Sequence, residues 1–425
     1  MLNADRLHRI NICLQEHFSM AKKYNYRIFE HISDVDISEQ DILDYSSEVL
    51  NQLLIDHTMS AKARSEAKDS TKVVNIFWAT SDYESAIMDE DGNPIVEGFR
   101  YNDEIKPENI TGRYRRVVMP RVLKDKQLQV ARSKDKAEVF TPSWVCNAQN
   151  NLIDEAWFGR KDVFNREVVN EDGTHTWIPT EGKIVFPEGD KRKTWKKYVT
   201  ENRMEITCGE APYLVSRYDT TTGEPIPLSH RIGLLDRKLR VIGENVETPG
   251  EWLEMARKAF MSVYGYEWQG DNLLLAREAL LYTFIEYYID RFNEKDKQGQ
   301  VILTNVPENK SIVGIARIIS WNLWQMDGLK MVVPNSCHET VEITRARKGL
   351  FDDEIVETRH TKPCQGCEKN EMFNHNGVYC LIRDWNKKKP EGWHLQPGED
   401  PKSSPWQKIK FSTLLYLHQE DTEDE

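Results

Sequence analysis

The chain contains no run of 18 apolar residues, and its first residues, Met1 to Asp5, lack the basic and then apolar order of a secretory signal peptide. Only seven of its 425 residues are cysteine, which argues against the disulfide framework of a small secreted protein. It also has no internal repeat and no phosphate-binding loop of the Walker type. These absences predict a cytoplasmic protein without a membrane segment, and the length allows two or three domains.

The formal net charge of −12 does not suggest a nucleic-acid-binding protein, but charge acts locally. Residues 113–136 contain nine basic residues and only two acidic ones. Six of the basic residues are predicted nucleic-acid contacts: Arg113, Arg115, Arg116, Arg121, Lys124 and Lys126. The segment either lies along DNA phosphates, which would make binding depend on salt, or forms a solvated linker, and the sequence leaves both open. Five acids among residues 420–425 predict a disordered tail.

Hydrophobic periodicity predicts helices within residues 1–70 and over 144–157, 234–241, 251–261 and 272–293. It predicts strands at 72–80, near 203, near 263 and at 315–321, a helix that ends at about 216, and turn-rich β structure over 160–200. The alternation of strands and helices from residue 203 onwards predicts an α/β fold, with a partly parallel sheet and helices on both faces.

Four regions follow from these patterns. Residues 1–133 form a helical or mixed region with the basic stretch, and residues 134–330 form the α/β core, with the β-turn insertion at about 160–200. Residues 331–382 form a cysteine-rich insertion, and residues 383–425 form a closing segment with the acidic tail.

Four segments of the α/β core place small or acidic residues where a ligand could approach. They contain Phe140-Thr141-Pro142, then Glu205 followed by Cys208, Gly209, Ala211 and Tyr213, then Glu267 at the end of an apolar run, and finally Asn322 and Asp327. Small residues let a backbone come close to a ligand. An acid at the carboxyl end of a parallel strand can accept hydrogen bonds from ribose hydroxyls.

Together with Arg237-Lys238-Leu239, these segments resemble the S-adenosylmethionine-binding half of bacterial DNA adenine-N6 methyltransferases of restriction–modification systems. The resemblance covers about residues 134–330 and implies a Rossmann-like methyltransferase sheet, S-adenosylmethionine as cofactor and DNA as substrate. It also implies that the cofactor is bound by Phe140, Thr141, Pro142, Glu205, Cys208, Gly209, Ala211, Tyr213, Glu267, Asn322 and Asp327.

The chain departs from the family at three places. Ala211 replaces the second glycine of the loop, and Asn322 stands where the family has an aspartate. No Pro-Pro dipeptide occurs among the 17 prolines, so the family's catalytic tetrapeptide is missing and the catalytic residues stay unassigned. We therefore expect a partner subunit that supplies the catalytic motif or recognises the target. Two alternatives stay open: an inactive methyltransferase-fold scaffold or sensor, and a zinc-containing nucleic-acid-binding module.

Four of the cysteines cluster late in the chain. Cys337, Cys364, Cys367 and Cys380, with His338, His360 and His375 among them, include one Cys-x2-Cys knuckle. Four thiolates suffice for a tetrahedral zinc site, so these cysteines are the predicted metal ligands. The alternative is a loop of reduced cysteines. The other three, Cys13, Cys146 and Cys208, occur in apolar surroundings that predict core positions.

Overall fold

The computed structural model describes residues 25–67, 71–79, 82–136, 138–337, 340–344, 358–388 and 406–416. Within these ranges the chain is a mixed α/β protein with a small parallel sheet. Cys13 and the predicted acidic tail lie outside the described residues.

The α-helices of the described residues differ widely in length. They are α1 (Glu39–Tyr45), α2 (Ser47–Leu54), α3 (His57–Ala67), α4 (Asp82–Ala86), α5 (Pro107–Ile110), α6 (Lys126–Lys136), α7 (Ser143–Phe158), α8 (Trp195–Thr200), α9 (Leu234–Asn245), α10 (Pro249–Met261), α11 (Gly270–Phe292), α12 (Asn309–Asn322), α13 (Gln365–Lys369) and α14 (Thr413–Tyr416).

The strands are short. They are β1 (Asn165–Val169), β2 (His175–Pro179), β3 (Arg203–Glu205), β4 (Val263–Glu267), β5 (Glu294–Lys295), β6 (Val301–Ile302), β7 (Leu323–Gln325), β8 (Thr340–Thr344), β9 (Thr358–Lys362), β10 (Leu381–Lys388) and β11 (Trp406–Lys410). β3, β4 and β7 are neighbours in one sheet, in that order, and the other strands pair as two-stranded antiparallel ribbons.

The chain forms two compact units, and each is assembled from three separate stretches. Unit 1 consists of the described residues of Met1–Leu54, Ile105–Tyr264 and Leu274–Ser320. Unit 2 consists of those of Ile55–Glu104, Gly265–Leu273 and Trp321–Glu425. The contiguous regions predicted from the sequence therefore do not coincide with the compact units.

In unit 1, α9 lies in the core, where its apolar side chains are buried and its basic side chains have polar partners. Arg237 donates to the Asp154 carboxylate of α7 over 2.5 Å, and the Lys238 ammonium donates to the Ser262 hydroxyl over 2.6 Å. Leu239 is fully buried, and burial holds the pKa of Lys238 well below its ordinary value. The Arg237-Lys238-Leu239 motif thus fixes α9 against α7 and the start of β4.

In unit 2, β4 and β7 form the parallel pair, with Gly265 opposite Leu323 and Glu267 opposite Gln325. The Gln325 side chain joins the backbone of Phe77 to this strand pair. Its amide accepts from the Phe77 N–H over 2.9 Å and donates to the Phe77 carbonyl over 2.8 Å. Residues 71–79 make only isolated bridges, so the prediction of a strand at 72–80 is wrong.

Most of the predicted helices are confirmed, including those over 144–157, 234–241, 251–261 and 272–293. The predicted strand at 315–321 is wrong, because these residues are the last two turns of α12 and β7 begins only at Leu323. The predicted helix that ends at about 216 is also wrong, since residues 206–217 form turns. Among the described residues, none of the helices has both the length and the apolar character that crossing a bilayer requires.

Candidate functional site

A cluster of three thiols and one imidazole lies in unit 2. The sulfur atoms of Cys337, Cys364 and Cys367 and a ring nitrogen of His375 all lie within 4.8 Å of one another. His375 Nδ1 lies 3.8 Å from the first sulfur and 3.6 Å from each of the other two. The Cys3His cluster can bind a metal ion.

These distances match a tetrahedral centre. Zinc–sulfur bonds of about 2.3 Å and zinc–nitrogen bonds of about 2.0–2.1 Å separate sulfur and nitrogen ligands by about 3.6 Å at the tetrahedral angle. One imidazole nitrogen can join in only one strong hydrogen bond, so it cannot serve three thiols at once. A shared cation would account for the three nearly equal distances.

The Cys364-x2-Cys367 knuckle is positioned by α13 and by Gly366. Cys364 precedes the helix, Cys367 lies within it, and Asn370 ends it in the left-handed region with φ 54°. A Cβ atom on Gly366 would lie 2.6 Å from the Asn374 carbonyl carbon, so only glycine lets the helix approach the segment that carries His375.

The thiols of the cluster titrate unequally. Burial raises the pKa of Cys364, but N–H groups that donate towards its sulfur, including that of Asn376 at 3.3 Å, bring it to about 6. Burial, together with the neighbouring thiol of Cys364, raises the pKa of Cys337 to about 12. Thiolates this close repel one another, and a bound divalent cation would remove that penalty.

The structure replaces one predicted ligand. Cys380 is fully buried outside the cluster, and its thiol donates to the Gln325 carbonyl over 3.4 Å. His375 takes the fourth position, which the sequence signals only through the spacing Cys364-x2-Cys367-x7-His375. The side chains of His338 and His360 lie outside the described residues. Cys146 and Cys208 are buried, as predicted.

In unit 1, the loop after β3 is organised by Glu205. The Glu205 carboxylate is buried and accepts the backbone N–H groups of Tyr213 and Leu214 over 3.3 and 3.1 Å. Gly209 and Ala211 both adopt the left-handed region, with φ 52° and 62°. Ala211 therefore has the conformation that a glycine would adopt there, so the departure from the family motif leaves the turn intact.

The Phe140-Thr141-Pro142 segment lies beside this loop in unit 1. A Cβ atom on Gly209 would lie 3.3 Å from the Phe140 ring, and the Tyr213 hydroxyl interacts with Thr141. Pro142 precedes α7, and Cys208 is buried. The structure thus gathers the unit 1 residues that the resemblance implies for the cofactor.

The three remaining candidates lie in unit 2. Glu267 is buried at the carboxyl end of β4, where its carboxylate accepts the Gln269 N–H over 3.0 Å. The Asn322 side chain accepts the indole N–H of Trp385 over 2.7 Å. Asp327 closes a tight turn by accepting the amides of residues 329 and 330. All three side chains therefore have partners within unit 2, and Glu267 lies at the carboxyl end of its strand.

The predicted nucleic-acid contacts divide into two groups. Arg121 lies 3.8 Å from the Glu138 carboxylate and donates to the Ser133 hydroxyl over 2.9 Å, and Lys124 is buried. Neither residue therefore offers its charge to a DNA surface, since Lys124 is buried and the partly exposed Arg121 side chain is engaged with Glu138 and Ser133. The others are exposed: Arg113, Arg115, Arg116 and Lys126.

No family model matches the chain, and neither the curated proteins nor the solved structures include a match.

Proposed function

We propose that this chain is a subunit of a DNA adenine-N6 methyltransferase of the restriction–modification type, that it binds S-adenosylmethionine, and that a zinc ion stabilises it. The observation that carries the proposal is the position of Glu267, a buried acid at the carboxyl end of a strand that runs parallel to β7. Acids at this place accept hydrogen bonds from ribose hydroxyls in nucleotide-binding α/β sheets.

The order of the strands supports a Rossmann-like sheet. β3, β4 and β7 are neighbours in chain order, the order that successive crossover connections produce. Helices α9 and α10 connect β3 to β4, and α11 and α12 connect β4 to β7. Within unit 1, the left-handed turns at Gly209 and Ala211 suit a backbone that approaches a ligand.

In this proposal the chain does not complete the reaction alone. The family transfers the methyl group by direct attack of the adenine amine on the sulfonium carbon, without a covalent enzyme intermediate. Because the Pro-Pro tetrapeptide is missing, a partner subunit supplies the residues that hold the target base, or supplies target recognition. The same absence favours an inactive scaffold or sensor as the second candidate.

We further propose that the metal is zinc and that its role is structural. Three cysteines and one histidine fill a tetrahedral shell, which leaves no open position for a catalytic water. Softer thiolate ligands also favour zinc over magnesium or calcium.

Calorimetric titration with S-adenosylmethionine tests the cofactor proposal. We expect the wild-type protein to bind and Glu267→Ala to bind at least about tenfold more weakly, because a ribose hydrogen bond to a charged group contributes roughly 1.5–3 kcal/mol. Glu267→Gln keeps an acceptor for the Gln269 N–H, so the local fold is retained. Weaker cofactor binding by this variant would therefore reflect the lost ribose contact and not misfolding.

Glu254→Ala is the matched control, since Glu254 is an exposed acid on α10. If the folded wild-type protein does not bind, the methyltransferase proposal is wrong and the zinc-containing nucleic-acid-binding module remains. Binding without methyl transfer to DNA, even with a partner added, would favour the scaffold or sensor.

A further inference from the structure

Two short backbone arms connect the metal cluster to the parallel strand pair within unit 2. The arms are residues 331–333 and 378–380, and Val332 bridges Tyr379 between them. The Val333 N–H donates to the Val378 carbonyl over 2.9 Å, and the Cys380 N–H donates to the Met331 carbonyl over 3.0 Å. One arm leads directly to Cys337, and the other begins three residues after His375.

The other end of the arms holds the end of β7. The Asp327 N–H donates to the Val332 carbonyl over 2.8 Å, and the Cys380 thiol donates to the Gln325 carbonyl. Gln325 in turn lies opposite Glu267, whose carbonyl accepts the Met326 N–H over 3.0 Å. Short covalent stretches of chain join the metal ligands to the arms, and backbone hydrogen bonds join the arms to the strand end that carries Glu267.

Apolar burial cannot hold the ligand segment in place. Of residues 363–377, only Cys364 and Gly366 are buried, and the large Phe373 side chain is exposed. A segment with so little buried apolar surface depends on its metal for a fixed conformation. A glycine also permits the close fit of the arms at the cluster, because a Cβ atom on Gly377 would lie 2.9 Å from the Cys337 sulfur.

We propose that the metal ion fixes the carboxyl edge of the β4–β7 pair, so that metal occupancy and ligand binding at Glu267 are coupled. Cys380 is then a positioning residue, since its thiol joins the arms to β7 without contacting the metal. The part that concerns the ligand rests on the proposed cofactor function. The part that concerns the strand edge does not, because it involves only this chain and its metal.

Hydrogen exchange of the whole protein tests the strand edge first. Metal removal by EDTA, verified by elemental analysis, should remove the protection of the amides of Asp327, Val333 and Cys380, and added Zn2+ should restore it. Amides in α9 of unit 1 should not change. Cys367→Ser should reproduce the effect of EDTA, whereas Glu368→Ala, its exposed neighbour on α13, should not.

Titration with S-adenosylmethionine tests the coupling. Metal removal should weaken binding by roughly 5- to 150-fold, the usual range for coupled sites. Cys380→Ala should keep one equivalent of zinc and still weaken binding.

The two measurements separate the possible failures. Unchanged protection after verified metal loss would overturn the inference, whatever the cofactor result. Lost protection with an unchanged affinity would overturn the coupling alone. Lost protection in a protein that never binds the cofactor would overturn the proposed function and leave the metal-fixed edge standing.

Discussion

At the scale of single residues, the metal ligands show what a sequence can and cannot specify. Three of the four thiols predicted from the Cys-x2-Cys knuckle and its neighbours do converge in unit 2. The fourth position is wrong because it depends on where the chain turns after the knuckle. Cys380 follows the Val332–Tyr379 bridge, and that pairing places its thiol at β7. Such long-range register is not encoded in cysteine spacing.

Metal stoichiometry distinguishes the two candidate ligands. We expect His375→Ala to bind zinc at least about tenfold more weakly than wild type, because the cation loses one of four ligands. Cys380→Ser should keep one equivalent, since the serine hydroxyl can still donate to the Gln325 carbonyl. Elemental analysis and the charge-transfer bands of the Co2+-substituted proteins provide the measurement. Full zinc binding by His375→Ala would contradict the assignment.

A second residue-scale prediction concerns the buried carboxylate of Glu278 on α11. Burial, followed by the charges of Glu39 and Asp36, raises its pKa well above its ordinary value. The unfolded chain therefore loses this proton at lower pH than the folded chain does. The stabilising contribution of the protonated carboxyl is full below about pH 4.3 and disappears as the pH rises through the folded pKa.

Glu278→Gln cannot ionise and keeps the shape of the protonated group. Relative to wild type, it should raise the free energy of unfolding at pH 8 by about 1.4 kcal/mol for each pH unit of the shift, and change it little at pH 4. Urea unfolding at both pH values provides the measurement, with Glu48→Gln on the exposed side of α2 as the control. An equal effect at the two pH values would show that ionisation is not the cause.

At the scale of elements, long amphipathic helices were predictable and short strands were not. α9, α10 and α11 repeat apolar residues at helical spacing over three turns or more. Ile318-Ile319 is an apolar, β-branched pair that suits a strand or a buried helix equally, and periodicity cannot decide over so few residues. The structure continues α12 through this pair and starts β7 at once, so the predicted strand was misplaced by a few residues.

The junction between the loop after β3 and α9 gives a prediction at this scale. A Cβ atom on Gly233 would lie 2.4 Å from the Leu214 carbonyl oxygen and 2.6 Å from the Asp236 carboxylate. Gly233→Ala must push this loop away from the helix, which should cost about 1–3 kcal/mol of unfolding free energy.

Gly250→Ala is the matched control, because nothing lies within 4 Å of its added Cβ in the first turn of α10. Alanine is the better helix former by up to about 1 kcal/mol, so this change should stabilise the protein. Thermal and urea unfolding give the sign in each case. Equal effects of the two substitutions would mean that the close contact at Gly233 does not constrain the loop.

At the scale of the whole molecule, the sequence predicted the α/β class but not how the chain divides. The α/β class follows from the alternation of elements that starts at residue 203. Each compact unit, however, takes three stretches of chain, and the boundaries at residues 264 and 320 fall inside β4 and α12. A boundary inside a helix or strand has no linker-like composition. Composition and periodicity along the chain therefore predict only contiguous regions.

The distribution of charge gives the last prediction. At a net charge of −12 the chain as a whole repels DNA, so the DNA binding that we propose would depend on a local basic surface. Arg113, Arg115 and Arg116 are exposed around one short turn, whereas Arg121 and Lys124 are engaged or buried within unit 1. We therefore expect Arg113, Arg115 and Arg116 to provide the contacts with phosphates.

Replacing these three arginines together by alanine should weaken DNA binding for every sequence alike. Each phosphate contact contributes about 0.9 to the slope of log K against log salt, so the slope should fall by about 2.7 if all three engage phosphates. Fluorescence anisotropy with duplex DNA over a range of salt concentrations measures it. The triple alanine variant of Lys191, Arg192 and Lys193, a second basic cluster in unit 1, is the charge-matched control. An equal loss of slope in both variants would show that net charge, rather than the surface around Arg113, controls binding.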